Sequence, residues 1–358
     1  EEVSSIPSIT LDGETIDRIS SSELLAIKMM DRLDPDRRSF TFEERQRHFR
    51  RLLSQWLGII DNLEVELFIS PSIPHRVFDF AFYIGCQLRG VKTILYKMTP
   101  FQDVLIPISD VFSLPGYIKE DYNNLKNKFI EQYLPDEILY SIELLKRNYK
   151  EAEPDYMKVQ KRTAEKSFFY SLFRKLFQNI FIKPSKVLFF LKTSNRYYKV
   201  SGRPMEKSFF KNYQVSYFNW QGRKYKMDLK NTYLKLCSNL DFNKEKFVFI
   251  ALHYQPEETS SPSAGHYVDQ SLIVASLSEV LPSDVSIVVK EHSSQFHSNM
   301  EGHTGRTKQF YDDLVKIPRV KLVPHYHTSF DYIDNSVAVV TATGTMGWEA
   351  VVREKPVL

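Results

Sequence analysis

The stretch VTATGTMGWEAVVREKPVL, residues 340–358, orders the reading of this chain. Val337 to Thr341 is a β-branched run that reads as a strand. A Thr/Gly turn follows from Thr341 to Gly347, then a helix start near Trp348-Glu349-Ala350, and Lys355-Pro356 opens a further apolar run. A strand that ends in such a turn and feeds a helix N-terminus concentrates free backbone N–H groups and hydroxyls, which suits an anion such as phosphate. The segment has neither G-x-G-x-x-G nor a Walker lysine, which argues against simple dinucleotide and P-loop readings. The plainer alternative is an ordinary turn, with Gly344 and Gly347 for tightness and the threonines as β formers and caps. The order of Thr343, Gly344, Thr345 and Glu349 around the helix start favours phosphate or ribose contact.

The same rhythm extends upstream. Phe247–Leu252, Val285–Val289, Val320–Val323 and Val337–Thr341 read as strands. His266–Leu281, Thr307–Lys316, Ser329–Asn335 and Met346–Val352 read as the helices that alternate with them. This alternation describes a doubly wound α/β domain, in which ligands bind beyond the carboxyl ends of the strands. A strand is just opening at Pro356–Leu358, so the domain is expected to continue. Near the N-terminus, helical patterns cover Ser22–Leu33 and Phe42–Ile60. Glu66–Ser70, Val77–Leu88 with Gly90 as cap, and Val91–Tyr96 then form a βαβ unit. The expected fold is α/β, with two facing Rossmann-like domains built on parallel sheets. Residues 1–150 form the first domain with a helical N-terminus, 151–240 a helical, basic and aromatic connecting region, and 241–358 the second domain.

Composition agrees with two soluble cores: 358 residues, 42% hydrophobic and 26% charged. Cys86 and Cys237 support neither a disulfide framework nor a cysteine zinc site, which fits a reducing compartment. No run approaches the roughly 20 apolar residues of a spanning helix, and no signal peptide is visible. The chain begins at Glu1 rather than Met, which leaves room for a trimmed leader. The net charge of +4 is unevenly spread, because Lys158 to Lys230 holds eighteen Lys/Arg against only Glu165, Glu206 and Asp228. Inside that stretch Phe168, Phe169, Leu172, Phe173, Leu176, Phe177, Ile180 and Phe181 recur at helical spacing beside several lysines and Arg174. A core-facing helix is one reading. A helix on an anionic membrane surface, over 166–192, is the other. Nucleic acid is not expected, since no RNA-binding signature accompanies the charge.

Two more strand-end loops carry chemistry. Leu252–Thr259 follows the first strand of the second domain and brings His253, Gln255, Glu257 and Glu258 to the expected cleft. A carboxylate there could serve as nucleophile or general base, and a solvated loop before a helix is the alternative. Lys290-Glu291-His292-Ser293 ends the next strand, where Lys and His can hold phosphate oxygens. A zinc site from His292, His297 and His303 lacks any standard spacing. In the first domain Pro71–Asp79 and Met98–Asp103 either face the cleft from the other side or are simple turns. Asp34-Pro35-Asp36 matches D-x-D, but its place before a helical stretch makes a helix start the better reading.

Residues 246–358 resemble the bacterial capsule polysaccharide biosynthesis proteins, a group that includes β-Kdo transferases. The resemblance rests on Gln255 and Glu257 after a strand, Lys290-Glu291-His292, the run Thr341 to Ala350, and Lys355 to Val357. It implies a GT-B-like, metal-independent glycosyltransferase with the nucleotide sugar on the second domain and the acceptor on the first. His292 and Thr343 to Thr345 would hold the phosphate with Lys290, and Glu349 the ribose. Glu257, with Glu258 next and His253 assisting, would be the catalytic carboxylate. The family's loop has Pro where this chain has Ser293. No cofactor is expected beyond the donor itself, a CMP-linked sugar such as CMP-Kdo being favoured. The acceptor would be a glycan or lipid-linked glycan, and the site of action the cytoplasm, with peripheral association with the membrane's inner face if the basic segment docks there. A sugar-nucleotide epimerase and a non-catalytic membrane-docking scaffold are the rival readings.

Overall fold

The computed structural model describes residues 6–34, 40–101, 104–113, 115–126, 134–147, 188, 212–297 and 300–358. The aromatic stripe of 168–181 and the proposed membrane segment 166–192 lie outside the described residues, apart from the isolated Leu188.

The N-terminal unit begins with helices α1 (Gly13–Met29) and α2 (Phe42–Asn62). Asp12 caps α1, and Thr41 with Glu44 closes a capping box on α2. Asp34 is a buried carboxylate, 2.8 Å from Arg45 Nη2, and accepts the Phe40 N–H; Pro35 and Asp36 of that motif lie outside the described residues. Strand β1 (Leu67–Ser70), helix α3 (Val77–Arg89) and strand β2 (Lys92–Met98) form the expected parallel βαβ unit. Gly90 ends α3 at φ +68°, the left-handed position that glycine adopts without strain.

Strand β3 (Leu105–Ile108) departs from the all-parallel expectation and pairs antiparallel with β2. Residues 99–104 are too few for a crossover, so the chain can only turn back. The loop Met98–Asp103 is therefore a hairpin turn, of which Gln102 and Asp103 lie outside the described residues. Its Phe101 packs edge-on against Trp348 of the C-terminal unit, with ring centroids 5.2 Å apart. Helices α4 (Gly116–Leu125) and α5 (Asp136–Arg147) follow.

The C-terminal unit opens with the long helix α6 (Asn212–Leu236), whose Leu229 and Tyr233 are buried in the second core. Parallel strands β4 (Phe247–Ala251), β5 (Ser286–Lys290), β6 (Val320–Val323) and β7 (Ala338–Val340) alternate with α7 (Ser271–Val280), α8 (Lys308–Leu314) and α9 (Ser329–Asn335). Helix α10 (Thr345–Val352) comes last. The strand order is β6-β5-β4-β7. The expected α/β chain with parallel sheets is thus what forms, with one antiparallel edge. Winding runs from β4 outward to β6 and then returns to the far side of β4. The sheet's switch point therefore lies between β4 and β7, where a crevice opens at the carboxyl ends. Val339 also bridges to Val357, so the chain beyond Lys355 lines up beside β7.

Candidate active site

The crevice holds a pocket lined by His253, Tyr254, Glu257 and Thr259 after β4, by Lys290 to Ser293 after β5, and by Gly344 to Met346 and Glu349 at α10. Ser329 and Phe330, at the start of α9, complete the wall. Three loops that are far apart in sequence are thus neighbours in space.

His253 stitches two of them together across the switch point. Its Nε2 accepts the N–H groups of Ala342 and Thr343, each at 3.2 Å, and lies 3.2 Å from Thr341 Oγ1. An imidazole nitrogen that accepts N–H bonds carries no proton, so the proton sits on Nδ1. Burial, reinforced by the charge of Arg306, lowers the pKa of His253 to about 4, and the ring is neutral at pH 7. Two of the turn's N–H groups are consequently spent on a side chain rather than offered to an anion. The backbone donors of this segment that face the pocket are left at the N-terminus of α10. That helix has no side-chain cap at Gly344, and Thr345 and Met346 line the pocket. A methyl group on Gly344 would stand 2.6 Å from His253 Cε1, so glycine is required there for close approach rather than for a special φ.

His292 follows the same logic with the other tautomer. Its Nδ1 accepts the Ser294 N–H at 3.2 Å, which leaves Nε2–H as the donor. Burial first, then the charges of Lys290, His253, His297 and Arg306, push its pKa down to about 3. Lys290, 7% exposed, supplies fixed positive charge at the pocket wall. Ser293 begins a 3-10 turn, Ser293–Phe296, behind a His292 held at φ −60° and ψ 132°. A first helical position preceded by an extended residue is where proline fits best. Ser293 therefore occupies a position whose backbone would suit proline.

The remaining residues singled out from sequence divide sharply. Glu257 lies at the exposed rim; enclosure by protein raises its pKa, while Thr259, Arg32 and His75 pull it down. Thr259 Oγ1 donates to its carboxylate at 3.3 Å. Glu349 is half-buried against Lys290; Thr345 Oγ1 donates to Oε1 at 3.2 Å, and Oε2 has no hydrogen-bond partner among the described residues. Gln255, Glu258 and Thr343 turn away. Gln255 is 3% exposed and donates to Val268 O, and Glu258 accepts from Ser263 Oγ within its own loop. Thr343 Oγ1 donates to Thr259 O at 2.6 Å, tying the β7 loop to the β4 loop. These three shape the pocket without lining it. Among the described residues no group of three or more His, Cys, Asp or Glu could hold a metal ion, and the His292, His297, His303 trio does not assemble one.

Arg306 is the residue that sequence reasoning left in a polar loop without a role. It is 2% exposed and its guanidinium reaches two of the three loops: Nε donates to Glu291 at 2.8 Å, Nη2 to His253 O at 3.0 Å, and Nη1 to Gln255 Oε1. Glu291 also accepts from Tyr311 Oη at 2.7 Å and from the His292 N–H at 2.8 Å. Gln270 grips the peptide of His253 from the other side, accepting its N–H at 2.6 Å and donating to its carbonyl at 3.2 Å. Gln295 does the same for Gln255, at 3.1 and 3.0 Å. Glu291 and Gly305 were the available signals, one between two candidate residues and the other beside Arg306. A Cβ on Gly305 would collide with the Gln255 carbonyl.

Two of the three strand-end loops are held by one buried amide and guanidinium network, and His253 ties the third to them. Residues 211–358 match the capsule polysaccharide biosynthesis protein family. The match begins at α6 and takes in every strand and pocket loop of the C-terminal unit. No curated protein matches the chain. Among solved structures, the chain is similar to a Methanocaldococcus jannaschii UDP-GlcNAc 2-epimerase in complex with UDP-GlcNAc and UDP. Identity is 10% with a TM-score of 0.23, over 89% of this chain and 66% of that one. It is also similar to S. aureus MnaA with UDP, at 10% identity and a TM-score of 0.23, over 94% and 76% of the two chains. The capsule-family segment thus coincides with the unit that holds the pocket. No helix among the described residues is long and apolar enough to cross a membrane.

Proposed function

We propose that this chain is a GT-B-like glycosyltransferase of bacterial surface polysaccharide synthesis. It moves a sugar from a nucleotide donor, a CMP-linked acidic sugar such as CMP-Kdo being favoured, to a glycan or lipid-linked acceptor at the cytoplasmic side of the membrane. One observation carries the reading: Lys290, the neutral His292 and the uncapped N-terminus of α10 converge on one pocket, with a carboxylate at its rim. The first three are donors suited to a phosphate. Glu349, with Oε2 buried and without a hydrogen-bond partner among the described residues, suits the ribose hydroxyls.

In this reading the bond between the anomeric carbon and the phosphate oxygen breaks, and its electron pair stays on the phosphate. Fixed donors aimed at that oxygen stabilise the charge without reorganising. Glu257 either attacks the anomeric carbon, giving a glycosyl ester that the acceptor hydroxyl then displaces, or takes the proton of an attacking hydroxyl. His253, with Nε2 committed to two backbone N–H groups, supports the loop instead of serving as a base. Calorimetric titration with a panel of nucleotide sugars, with and without EDTA, tests the proposal. CMP-sugar binding that survives EDTA is the expected result, and failure to bind any nucleotide would sink it. Mass spectrometry of Glu257 after donor addition separates the two roles of the carboxylate.

A further inference from the structure

One side chain of the N-terminal unit reaches the loop that carries Glu257. Arg32 stands in the 3-10 turn Met30–Arg32 after α1. Its Nη1 donates to His75 O at 3.0 Å within its own unit, and its Nη2 donates to Ser261 O at 3.2 Å in the other. Ser261 in turn donates its own N–H to Glu257 O at 2.8 Å, and Ser260 does so at 3.1 Å. Arg32 is therefore joined to the backbone of Glu257 through a single residue, Ser261. Ser261 Oγ adds a second tie across the same seam, donating to Leu25 O at 3.2 Å.

We propose that Arg32 is a positioning residue that holds the Glu257 carboxylate in place from the opposite unit. The inference rests on the role given to Glu257 above. A planar fork is what the geometry uses, since two carbonyls from two units are engaged by two nitrogens of one guanidinium. The charge acts as well. Arg32 favours the ionised form of Glu257, opposing the enclosure that raises its pKa, and burial lowers the pKa of Arg32 itself. The other groups facing Glu257 are His75 from the β1–α3 loop and Tyr254, Glu258 and Thr259 from its own loop; Arg76 bears on Arg32. An arginine that crosses the seam makes the state of the carboxylate depend on the two units being together.

The test is a carbon-13 NMR titration of protein labelled at the Glu side-chain carboxyl, with Glu257→Gln to assign the resonance. Wild type is compared with Arg32→Met, which keeps the aliphatic stem, and with Arg32→Lys, which keeps charge without the fork. Glu257 is expected to titrate at higher pH in Arg32→Met than in wild type, with Arg32→Lys between them. In transfer assays kcat should fall about tenfold or more in Arg32→Met, a loss of the kind that misplacing a reacting group causes. The acid limb of the pH profile should move upward, and the donor KM should stay within about twofold. An unchanged Glu257 titration in either variant that near-UV circular dichroism shows to be folded would overturn the inference. The titration needs no turnover: a shift in a protein that transfers no sugar upholds the coupling and defeats the proposed function, whereas active protein without a shift defeats the coupling alone.

Discussion

Replacing Arg306 by Met removes the guanidinium while retaining most of the stem that packs against Phe310, whose ring centroid lies 4.6 Å from Cζ. The ion pair to Glu291 is as deeply buried as any in the described chain, with side-chain exposures of 1% and 0%. Its loss leaves a buried carboxylate supported, among the described residues, by the Tyr311 hydroxyl and the His292 N–H. Breaking such a pair from one side costs about 3–5 kcal/mol, because the surviving charge keeps its desolvation penalty. The Gln255 side-chain oxygen also loses a donor, worth roughly 1–3 kcal/mol if it is left unsatisfied. The two costs share one relaxing loop and do not simply add, so a fall of about 4 kcal/mol is expected, against a total of roughly 5–15 for a folded domain. Urea denaturation followed by near-UV circular dichroism measures it. Arg306→Met combined with Glu291→Gln removes the stranded charge and should be more stable than Arg306→Met alone. Donor affinity should fall in both, because His253 and Gln255 lose a common anchor in each. A single variant within about 1 kcal/mol of wild type, or a double variant no better than the single, would refute the view that this network holds the pocket.

Other consequences can be measured independently. Gly344→Ala should force the His253 ring out of its seat, free the Ala342 and Thr343 N–H groups and lower donor affinity at least about tenfold, since relief of the 2.6 Å approach requires the ring or the loop to move. Ser293→Pro should leave donor binding intact and raise stability by about 0.4–1 kcal/mol, the usual gain where proline matches the native backbone; a loss of stability would show that Ser293 has a part beyond its place in the turn. His48, His253, His292 and His325 have pKa values lowered by burial to about 4, 4, 3 and 4. The unfolded chain therefore binds more protons below its ordinary value of 6.5, and stability should rise with pH from about 4 to 6.5 and level off above. His253 alone accounts for about 3 kcal/mol of that rise, and His253→Asn should flatten it in urea melts at stepped pH.

The α/β rhythm was legible because parallel strands buried on both faces read as unbroken apolar runs, as β4 does over Phe247–Ala251. The antiparallel β3 was not. Four residues, Leu-Ile-Pro-Ile, carry no direction of pairing, and only the shortness of the preceding turn decides it. The three pocket loops were readable for a topological reason, since carboxyl ends of neighbouring parallel strands must lie side by side. Side-chain direction within those loops was not readable. Gln255 and Glu257 are two residues apart, yet one is sealed in an amide network and the other stands at the rim. The anchors were harder still. Arg306 meets Gln255 across 51 residues and Arg32 meets Ser261 across 229, and an arginine in a polar loop looks the same in sequence whether it is solvated or pinned.

His253 shows how a bond pattern bears on a role proposed from sequence. Its position after β4 marks it as a candidate for proton transfer, and it does line the pocket. A general base needs a free basic nitrogen with a pKa near the working pH. The ring instead spends that nitrogen on two backbone N–H groups, and burial holds it neutral to about pH 4. The N–H groups it caps are those that the sequence assigned to phosphate, so one bond pattern answers two questions. It argues against acid–base work for His253, and in the proposed reading it moves the anion toward Thr345, Met346, Lys290 and His292. Because both histidines are neutral, the fixed positive charge at the pocket wall rests on Lys290 and the end of α10. In the proposed reaction a leaving phosphate that gains charge as its bond breaks would be stabilised most by those two, which favours the β5 and α10 side of the switch point for the donor.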